Sequence, residues 1–299
     1  MRRAGGGVDP LAGGFRVGAL SMATVARPHH VRIRPAKGWS GLRLGELWEF
    51  RDVLLMLALR DVKLRYKQTA LGVLWVVLQP LAAAILFAWI FGRFGQMPSD
   101  GQPYGAFVLA GLVAWQFVAG ILQRAGPSVL AETKLVTKVY FPRLLVPLAS
   151  AGAVLIDLGV ALVVGVVYLL VVGVTPGWTI LWLPFWIAIA FALASGLGLW
   201  LAAMNVRYRD FMHATPFLLQ LWMFASPVVY AFSLIPERWQ PWFACNPMVG
   251  VTGGFRAAFF GEAFPLTWAT AVAMGCAVVA LWSGAAYFRR VEQSFADQL

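Results

Sequence analysis

The chain has 299 residues, of which 60% are hydrophobic and only 12% are charged. Soluble globular domains are about 45–50% apolar and about 25% charged, so this composition excludes an ordinary water-soluble protein and predicts a polytopic membrane protein. The formal net charge of +11 does not indicate nucleic-acid binding, because 13 of the 24 Lys and Arg residues precede residue 70. Anionic lipid and a protein partner on one side of the membrane account better for this distribution.

The N-terminal residues 1–45 are rich in Gly, Pro and Arg and contain a single acid, Asp9. They include no apolar run long enough for a secretion signal, and their composition predicts a disordered basic arm in the cytoplasm. The remaining residues, 46–299, are predicted to form one membrane domain.

The segment from Glu46 to Lys67 has a helical pattern, with charged residues along one stripe and apolar residues on broad faces. A membrane-spanning segment follows it immediately. We therefore predict an amphipathic helix lying in the membrane interface rather than a surface helix of a soluble domain.

Six apolar stretches have the length of about 20 residues that a helix needs to cross a bilayer. They cover residues 70–92, 105–123, 145–174, 179–204, 214–233 and 265–288. With the N-terminus inside, 21 Lys and Arg residues lie on the inner side, and only Arg93, Arg238 and Arg256 lie on the outer side. Because positive residues concentrate in cytoplasmic segments, this asymmetry predicts that both termini are cytoplasmic.

The segment between the last two predicted spans, 234–264, combines aromatic residues with several prolines and glycines. Such a segment lies at the outer interface or dips into it. Two interpretations stay open: an aromatic belt that anchors the chain, and a gate over a transport path.

Catalytic signatures are absent from the sequence. It contains no Gly-Lys dipeptide, and therefore no GxxxxGK[ST] loop for ATP, and it has no Asp-x-Asp or His-Glu pair to hold a catalytic metal. We predict that the chain is not an enzyme and holds no cofactor or metal. The acid inside the third predicted span, Asp157, either bonds to a neighbouring helix or acts directly in transport.

Aromatic residues are abundant on the first and fifth predicted spans. Aromatic rings can stack on the C–H faces of sugars without fixed charge, so these side chains are candidates for lining a sugar-conducting channel, although each can instead face lipid. The candidates are Trp75, Phe87, Trp89, Phe217, Trp222 and Tyr230.

Five sequence blocks together carry a family resemblance. They are RDVKLRYKQTALGVLWVVLQP (60–80), LVTKVYFPRLLVPLA (135–149), NVRYRDFMHATPFLLQ (205–220), SPVVY (226–230) and NPMVGVTGGFRAAFFG (246–261). In order and spacing they resemble the permease subunit of type-2 ABC exporters for O-antigen and related surface polysaccharides, a family that includes the teichoic acid exporters. The resemblance covers about residues 45–299.

This resemblance implies a homodimeric permease in the bacterial cytoplasmic membrane. Two copies of a separate ATP-binding subunit, which carries the ATP and Mg, would drive export of a lipid-linked polysaccharide through a channel between the permease chains. A capsule or teichoic acid exporter is the alternative within this class. An ion-coupled secondary transporter is disfavoured, because the spans contain one acid and no clear inverted repeat.

The implied fold is all-α, with six transmembrane helices, the interfacial helix and outer re-entrant helices between spans five and six. The interfacial helix becomes a gate helix with Arg60, Asp61, Lys63, Arg65, Tyr66 and Lys67. The segments expected to couple to the ATPase contain Lys134, Lys138, Tyr140, Phe141, Pro142, Arg143, Arg207, Arg209 and Asp210. The outer gate is represented by Asn246, Pro247, Met248, Phe255 and Arg256.

Within the first coupling segment, Tyr140 and Phe141 are expected to be the apolar anchors that dock in the ATPase. Pro142 would end the helix, since proline cannot continue a helix without losing a backbone hydrogen bond.

Overall fold

The computed structural model describes residues 44–67, 74–138, 141–265, 267–292 and 295. Within these ranges every regular element is helical, in agreement with the predicted all-α class. The predicted arm, 1–45, lies almost entirely outside the described residues, so its predicted character and boundary stay predictions.

The helices are numbered in chain order. They are α1 (Leu44–Glu49), α2 (Arg51–Lys67), α3 (Leu74–Phe87), α4 (Tyr104–Ala131), α5 (Thr133–Lys138), α6 (Leu145–Val171), α7 (Leu183–Arg207), α8 (Asp210–Phe224), α9 (Gln240–Ala244), α10 (Pro247–Phe260) and α11 (Trp268–Glu292). Helix α3 continues as a π-helical segment, Ala88–Phe94, and short 3₁₀ turns occupy Trp178–Trp182 and Phe232–Leu234.

Five helical stretches of the described residues are long and apolar enough to cross a membrane. They are Leu74–Phe94, Tyr104–Ala131, Leu145–Val171, Trp178–Arg207 and Trp268–Glu292. The fifth predicted span, 214–233, is not confirmed, because α8 has only 15 residues and ends at Phe224. At about 1.5 Å per residue, this helix is shorter than the hydrocarbon core of a bilayer.

The bundle has two ends, named here after the helices that mark them. The α5 end contains the last turns of α4, α7 and α11 and the first turns of α6 and α8. At this end the backbone N–H of Arg143 donates a hydrogen bond to Glu292 Oε1 at 3.1 Å. The α10 end contains the first turns of α4, α7 and α11 and the last turn of α6. Helix α10 packs there, with Phe259 against Gly165 of α6.

Helices α4, α7 and α11 form the centre of the bundle. Helix α4 is almost fully buried from Gly105 to Leu122. Helices α7 and α11 approach closely because Gly196 and Gly284 face each other, and a Cβ at either position would overlap the opposite backbone. The fully buried indole of Trp186 on α7 similarly requires the bare backbone of Gly254 on α10.

Helix α2 runs alongside α6 in the same direction. Leu57 packs in one apolar cluster with Ala149, and eight residues further along both helices Arg65 reaches Asp157. The two helices therefore remain adjacent over about 12 Å. The placement of α2 in the membrane interface stays a prediction.

Several helices leave large apolar side chains uncovered, among them α2, α6 and α11 as well as α3 and α8. On α3 and its π-helical continuation the exposed residues are Leu74, Trp75, Leu78, Ile85, Leu86, Trp89, Ile90 and Phe94. On α8 they are Met212, Phe217, Leu218, Leu221 and Phe224. These faces need lipid or protein to cover them.

Candidate functional site

A polar groove lies between α2, α3, α4 and α6. It consists of a cavity of about 260 Å³ next to Asp157 and a second of about 350 Å³ next to Glu132. Gln123 and Arg124 line both cavities, so the two are adjacent along α4. Charged and amide side chains thus line a path beside otherwise apolar helices.

Asp157 lies at the centre of the first of these cavities, which is called the inner cavity below. Its carboxylate forms an ion pair with Arg65 of α2, and Arg124 Nη2 lies 3.4 Å from Asp157 Oδ2. An acid within an apolar helix is costly unless it is paired, and pairing is what the structure shows. The structure therefore shows Asp157 bonded to neighbouring helices, and its direct role in transport stays a prediction.

Arg60 connects α2 to the junction between α4 and α5. Its guanidinium donates to both Glu132 oxygens, at 2.7 and 3.0 Å, and to Asp61 Oδ1 at 2.9 Å. Although partial burial lowers the pKa of Arg60, the hydrogen bonds to Asp61 and Glu132 outweigh that effect and raise it above the ordinary value. Glu132 directly precedes α5, so a displacement of α5 would be transmitted to α2 through the bond between Arg60 and Glu132.

The other predicted gate-helix residues divide between two environments. Asp61 accepts a weak hydrogen bond from Ser150 Oγ at 3.4 Å, whereas Lys63 and Lys67 are exposed. Tyr66 lies in α2, but its side chain is outside the described residues. The predicted single charged stripe is thus split, with Arg60, Asp61 and Arg65 directed into the bundle.

The residues of the first predicted coupling segment lie in two different environments. Lys134 and Lys138 are exposed on α5, and Tyr140 is outside the described residues. Phe141 is only 7% exposed and packs with Leu57 inside the chain. Its predicted role as an anchor for the ATPase stays a prediction, and within the chain the ring packs the end of the α5 segment against α2 and α6.

The remaining predicted coupling residues lie at the α5 end. Pro142 and Arg143 are partly buried, and Arg143 Nη1 donates to the backbone carbonyl of Glu292 at 2.8 Å. Arg207, Arg209 and Asp210 are exposed at the turn between α7 and α8. The exposed surface of this end is consequently basic.

The predicted channel aromatics lie mainly on the uncovered faces of the chain. Trp75, Trp89 and Phe217 are more than half exposed, whereas Phe87 and Tyr230 are partly buried. The sixth candidate, Trp222, contacts Trp115 edge-to-face, with ring centroids 5.6 Å apart. Trp115 also lines the inner cavity, so this pair connects the groove to α8.

Asn246 joins α8 to α10 with its whole side-chain amide. Its Oδ1 accepts hydrogen bonds from the Met248 backbone N–H and the Trp222 indole, each at 3.0 Å. Its Nδ2 donates to Ser226 Oγ at 2.9 Å and to the Ala225 carbonyl at 3.1 Å. Pro247 at the first helical position suits this N-cap, since that residue needs no N–H partner.

Arg256 secures α10 to its surroundings. Its Nη2 donates to the Val228 carbonyl at 2.8 Å, and its guanidinium lies 3.5 Å from the centre of the Phe107 ring. Tyr104 strengthens the same region by donating to the Val229 carbonyl at 2.6 Å. In the described part of the chain no carboxylate is within ion-pairing distance of Arg256. Backbone carbonyls and an aromatic face hold this charge.

Two acids lie at the surface near Arg256. Asp100 accepts a hydrogen bond from Ser233 Oγ at 2.7 Å. Loss of hydration raises the pKa of Glu262, the negative charge of Asp100 raises it further, and Arg256 opposes both effects. The negative charges of Asp100 and Glu262 partly offset the cost of burying the Arg256 guanidinium.

The predicted outer-gate residues therefore come together around α10, with Met248 and Phe255 fully buried beside Asn246 and Arg256.

Sequence reasoning missed the groove residues Gln79, Gln116, Gln123, Arg124 and Glu132. A spacing of seven residues, which places Gln116 and Gln123 on one face of α4, was the available indication.

Comparisons with known proteins give consistent matches. The family described as ABC-2 type transporter matches residues 53–260. The O-antigen export system permease protein RfbA of Myxococcus xanthus is 28% identical over 260 residues, covering 85% of this chain and 98% of the relative. A Klebsiella pneumoniae protein of the same name is 28% identical over 209 residues, covering 70% and 80%. The Escherichia coli polysialic acid transport protein KpsM is 24% identical over 246 residues, covering 80% and 93%.

Proposed function

Because the chain belongs to the ABC-2 type transporter family, we propose that it is the membrane-spanning permease of an ATP-driven exporter for a lipid-linked, O-antigen-like polysaccharide. The observation that carries this proposal is the match over 98% of the Myxococcus xanthus O-antigen permease. A match along nearly the whole relative favours a shared transport role over a shared domain alone.

The α5 end faces the cytoplasm in this proposal. Exposed Lys138, Arg207, Arg209 and Arg290 lie there, and positive residues favour the cytoplasmic side. The chain is then a multi-pass protein of the bacterial cytoplasmic membrane with both termini inside.

A separate ATP-binding subunit would dock at the α5 end, since this chain has no phosphate-binding loop of its own. ATP and Mg would bind that subunit, while Lys134, Lys138 and Arg209 offer it a basic contact surface. The bond from Arg60 to Glu132 supports a route by which displacement of α5 reaches the gate helix α2.

Two copies of the chain would enclose the transport path. The uncovered aromatic faces of α3 and α8 supply the surface for such pairing, and Trp75, Trp89 and Phe217 would face the partner or the glycan. Aromatic rings suit a polysaccharide because they contact sugar faces without binding one charge pattern tightly.

Helices α9 and α10 would form the re-entrant outer gate. Trp115 lies about 16 Å from the start of α4, roughly half the thickness of a bilayer core. Trp115 contacts Trp222, and Trp222 bonds to Asn246, so side-chain contacts link the start of α10 to that depth, while Gly250, one turn further along, packs against Ala269 in the first turn of α11. Irregular backbone at such a depth is tolerated where protein surrounds it or it lines a cavity.

A capsular polysaccharide is the second candidate substrate. The matches to KpsM and to the capsule polysaccharide export inner-membrane protein CtrC of Neisseria meningitidis, which is 25% identical over 221 residues, favour it. Both candidates share an ATP-driven permease mechanism and differ in the glycan and its lipid.

The decisive experiment is to delete the gene in its own bacterium and restore it with a tagged copy. We expect the deletion strain to lose a surface polysaccharide and to accumulate the lipid-linked glycan in the cytoplasm. The restored protein should purify with an ATPase subunit whose turnover is inhibited by vanadate. Structural analysis of the accumulated glycan and its lipid then separates O-antigen from capsule.

An unchanged surface glycan, together with a protein that purifies without an ATPase, would refute the proposal. An Asp157→Asn variant would then test the ion-coupled alternative, because Asp157 is the acid available inside the predicted spans.

A further inference from the structure

A buried amide without partners lies near the α5 end. Asn205, in the last turns of α7, is only 1% exposed, and neither its Oδ1 nor its Nδ2 has a hydrogen-bond partner in the described part of the chain. Such an amide raises the free energy of the packed state, whereas an apolar side chain of similar shape does not. An asparagine at this position is explained if a second conformation of the protein supplies the bonds that this one lacks.

The amide faces the point at which the neighbouring helix α4 is least firmly held together. A Cβ placed on Gly126 would lie 3.1 Å from Asn205 Nδ2, so the two residues are adjacent across the contact between α4 and α7. Pro127 follows Gly126 inside α4, and because proline has no N–H, the carbonyl of Gln123 loses its intrahelical hydrogen bond. Sharp bends in helices occur almost always at positions of this kind.

The last turn of α4 has open space on one side. Pro127, Ser128 and Ala131 line the second cavity of the groove, which has a volume of about 350 Å³. On the opposite face of the helix, Val129 is fully buried in an apolar cluster with Leu199 of α7. The turn therefore has room to move away from α7 and into the cavity.

This turn leads directly into the predicted coupling segment. Glu132 follows Ala131, and α5 begins at Thr133. The part of α4 before the proline is held by its surroundings, since it is almost fully buried from Gly105 to Leu122. A displacement of α5 would consequently bend α4 at the proline rather than move the whole helix.

We propose that α4 hinges at Gly126 and Pro127, and that Asn205 lowers the free energy of the displaced position of its last turn. Movement of this turn away from α7 opens the contact at Asn205, so that water or a backbone carbonyl bonds to the amide. The hinge rests on the proposed function for its driving force, because the ATP-binding subunit would displace α5. It adds the position at which that displacement enters the bundle.

Hydrogen exchange tests the hinge directly. The permease, purified with its ATP-binding subunits in lipid nanodiscs, is compared with Asn205→Leu, which replaces the amide by an apolar side chain of similar size. Mass spectrometry follows deuterium uptake in peptides that cover residues 126–132. We expect these amides to exchange about tenfold more slowly in Asn205→Leu, because the displaced position loses the bond that favours it. A peptide from the buried centre of α4, 108–118, should exchange as in the wild type.

Stability and turnover of the same variant should change in opposite directions. Asn205→Leu should raise the thermal midpoint by about 2–4 °C, since it removes an unsatisfied amide from the packed state. It should slow vanadate-sensitive ATP turnover by about tenfold, because the displaced position is less populated. A merely structural role for Asn205 predicts the reverse, a lower midpoint with normal turnover of the folded protein.

Two further variants complete the comparison. Pro127→Ala returns an N–H to α4, so it should slow exchange and turnover as Asn205→Leu does, and it keeps the hinge testable should Asn205→Leu fail to fold. Ser195→Ala is the matched control. Ser195 Oγ is also buried on α7 and without a partner among the described residues, but it lies about 15 Å from Asn205 along the helix. This variant should raise the midpoint slightly and leave exchange and turnover unchanged.

Unchanged exchange of residues 126–132 in both Asn205→Leu and Pro127→Ala would overturn the hinge. So would a lower midpoint with normal turnover in Asn205→Leu, which would assign the amide to a buried structural water. Equally slow turnover in Ser195→Ala would overturn it as well, because general stiffening of α7 would then explain the effect. A wild-type complex without vanadate-sensitive turnover refutes the export function instead, and the exchange measurement still decides the hinge.

Discussion

Polar side chains at the α10 end and in the groove towards the α5 end are satisfied in different ways. Arg256 and Asn246 form hydrogen bonds with neighbouring backbone and side chains and lie within packed protein. Arg60, Arg65 and Arg124 instead pair with carboxylates across helices, beside open cavities. Fully bonded groups within packed protein fix one conformation, whereas paired groups beside open space remain accessible to ligands and to movement.

Phe141 is a buried residue at the otherwise exposed α5 end, so its substitution sharpens the comparison between the two ends. Phe141→Ala should have the largest effect on stability, about 3 kcal/mol, because it leaves a cavity between α2 and α6. Thermal unfolding in detergent measures the loss, and Phe94→Ala, which truncates a 68% exposed ring, is the control. Equal midpoints for both variants would contradict the burial of Phe141.

Substitution of Arg256 tests how far the stability of the α10 end depends on a buried guanidinium. Arg256→Leu should cost about 2 kcal/mol, because the Val228 and Phe107 carbonyls lose their donor within packed protein. The measurement is the thermal midpoint together with the monodisperse yield after size exclusion. Arg238→Leu, at an exposed position in the same region, should leave both unchanged. An unaltered midpoint in Arg256→Leu would show that this end does not depend on the buried guanidinium.

Asn246 should have a smaller effect at the same end. Asn246→Ala removes the N-cap of α10 and should cost about 1 kcal/mol. Asn246→Asp keeps the acceptor for the Met248 N–H but loses the donor to Ser226, so it should unfold at an intermediate temperature. Identical losses in the two variants would assign the effect to the Nδ2 donor alone.

Lys134 and Lys138 should have the smallest effect on stability. Charge reversal at these exposed positions should change the free energy of unfolding by less than about 0.5 kcal/mol. It should nevertheless abolish export and the co-purification of the ATPase subunit. Arg93→Glu, a charge reversal at the opposite end, controls for net charge. Normal export in both lysine variants would remove α5 from the proposed coupling surface.

Several features followed from the sequence because they depend on local pattern. Apolar length predicted five helices that the structure confirms as candidate spans. The motif blocks identified the family that the comparisons show. The span at 214–233 is not confirmed, because α8 ends at Phe224 and apolar residues in the stretch after it have the same hydropathy as residues in a helix.

The sequence by itself determined the membrane class, the helical fold and the family, since these depend on composition and on residues close together in the chain. Tertiary structure decided which charges meet. Arg65 and Asp157 are far apart in sequence, and only the packing of α2 along α6 brings them together. The same packing buries Phe141, an expected anchor for the ATPase. Hydropathy specifies that a helix enters the membrane, but not which of its faces contacts protein.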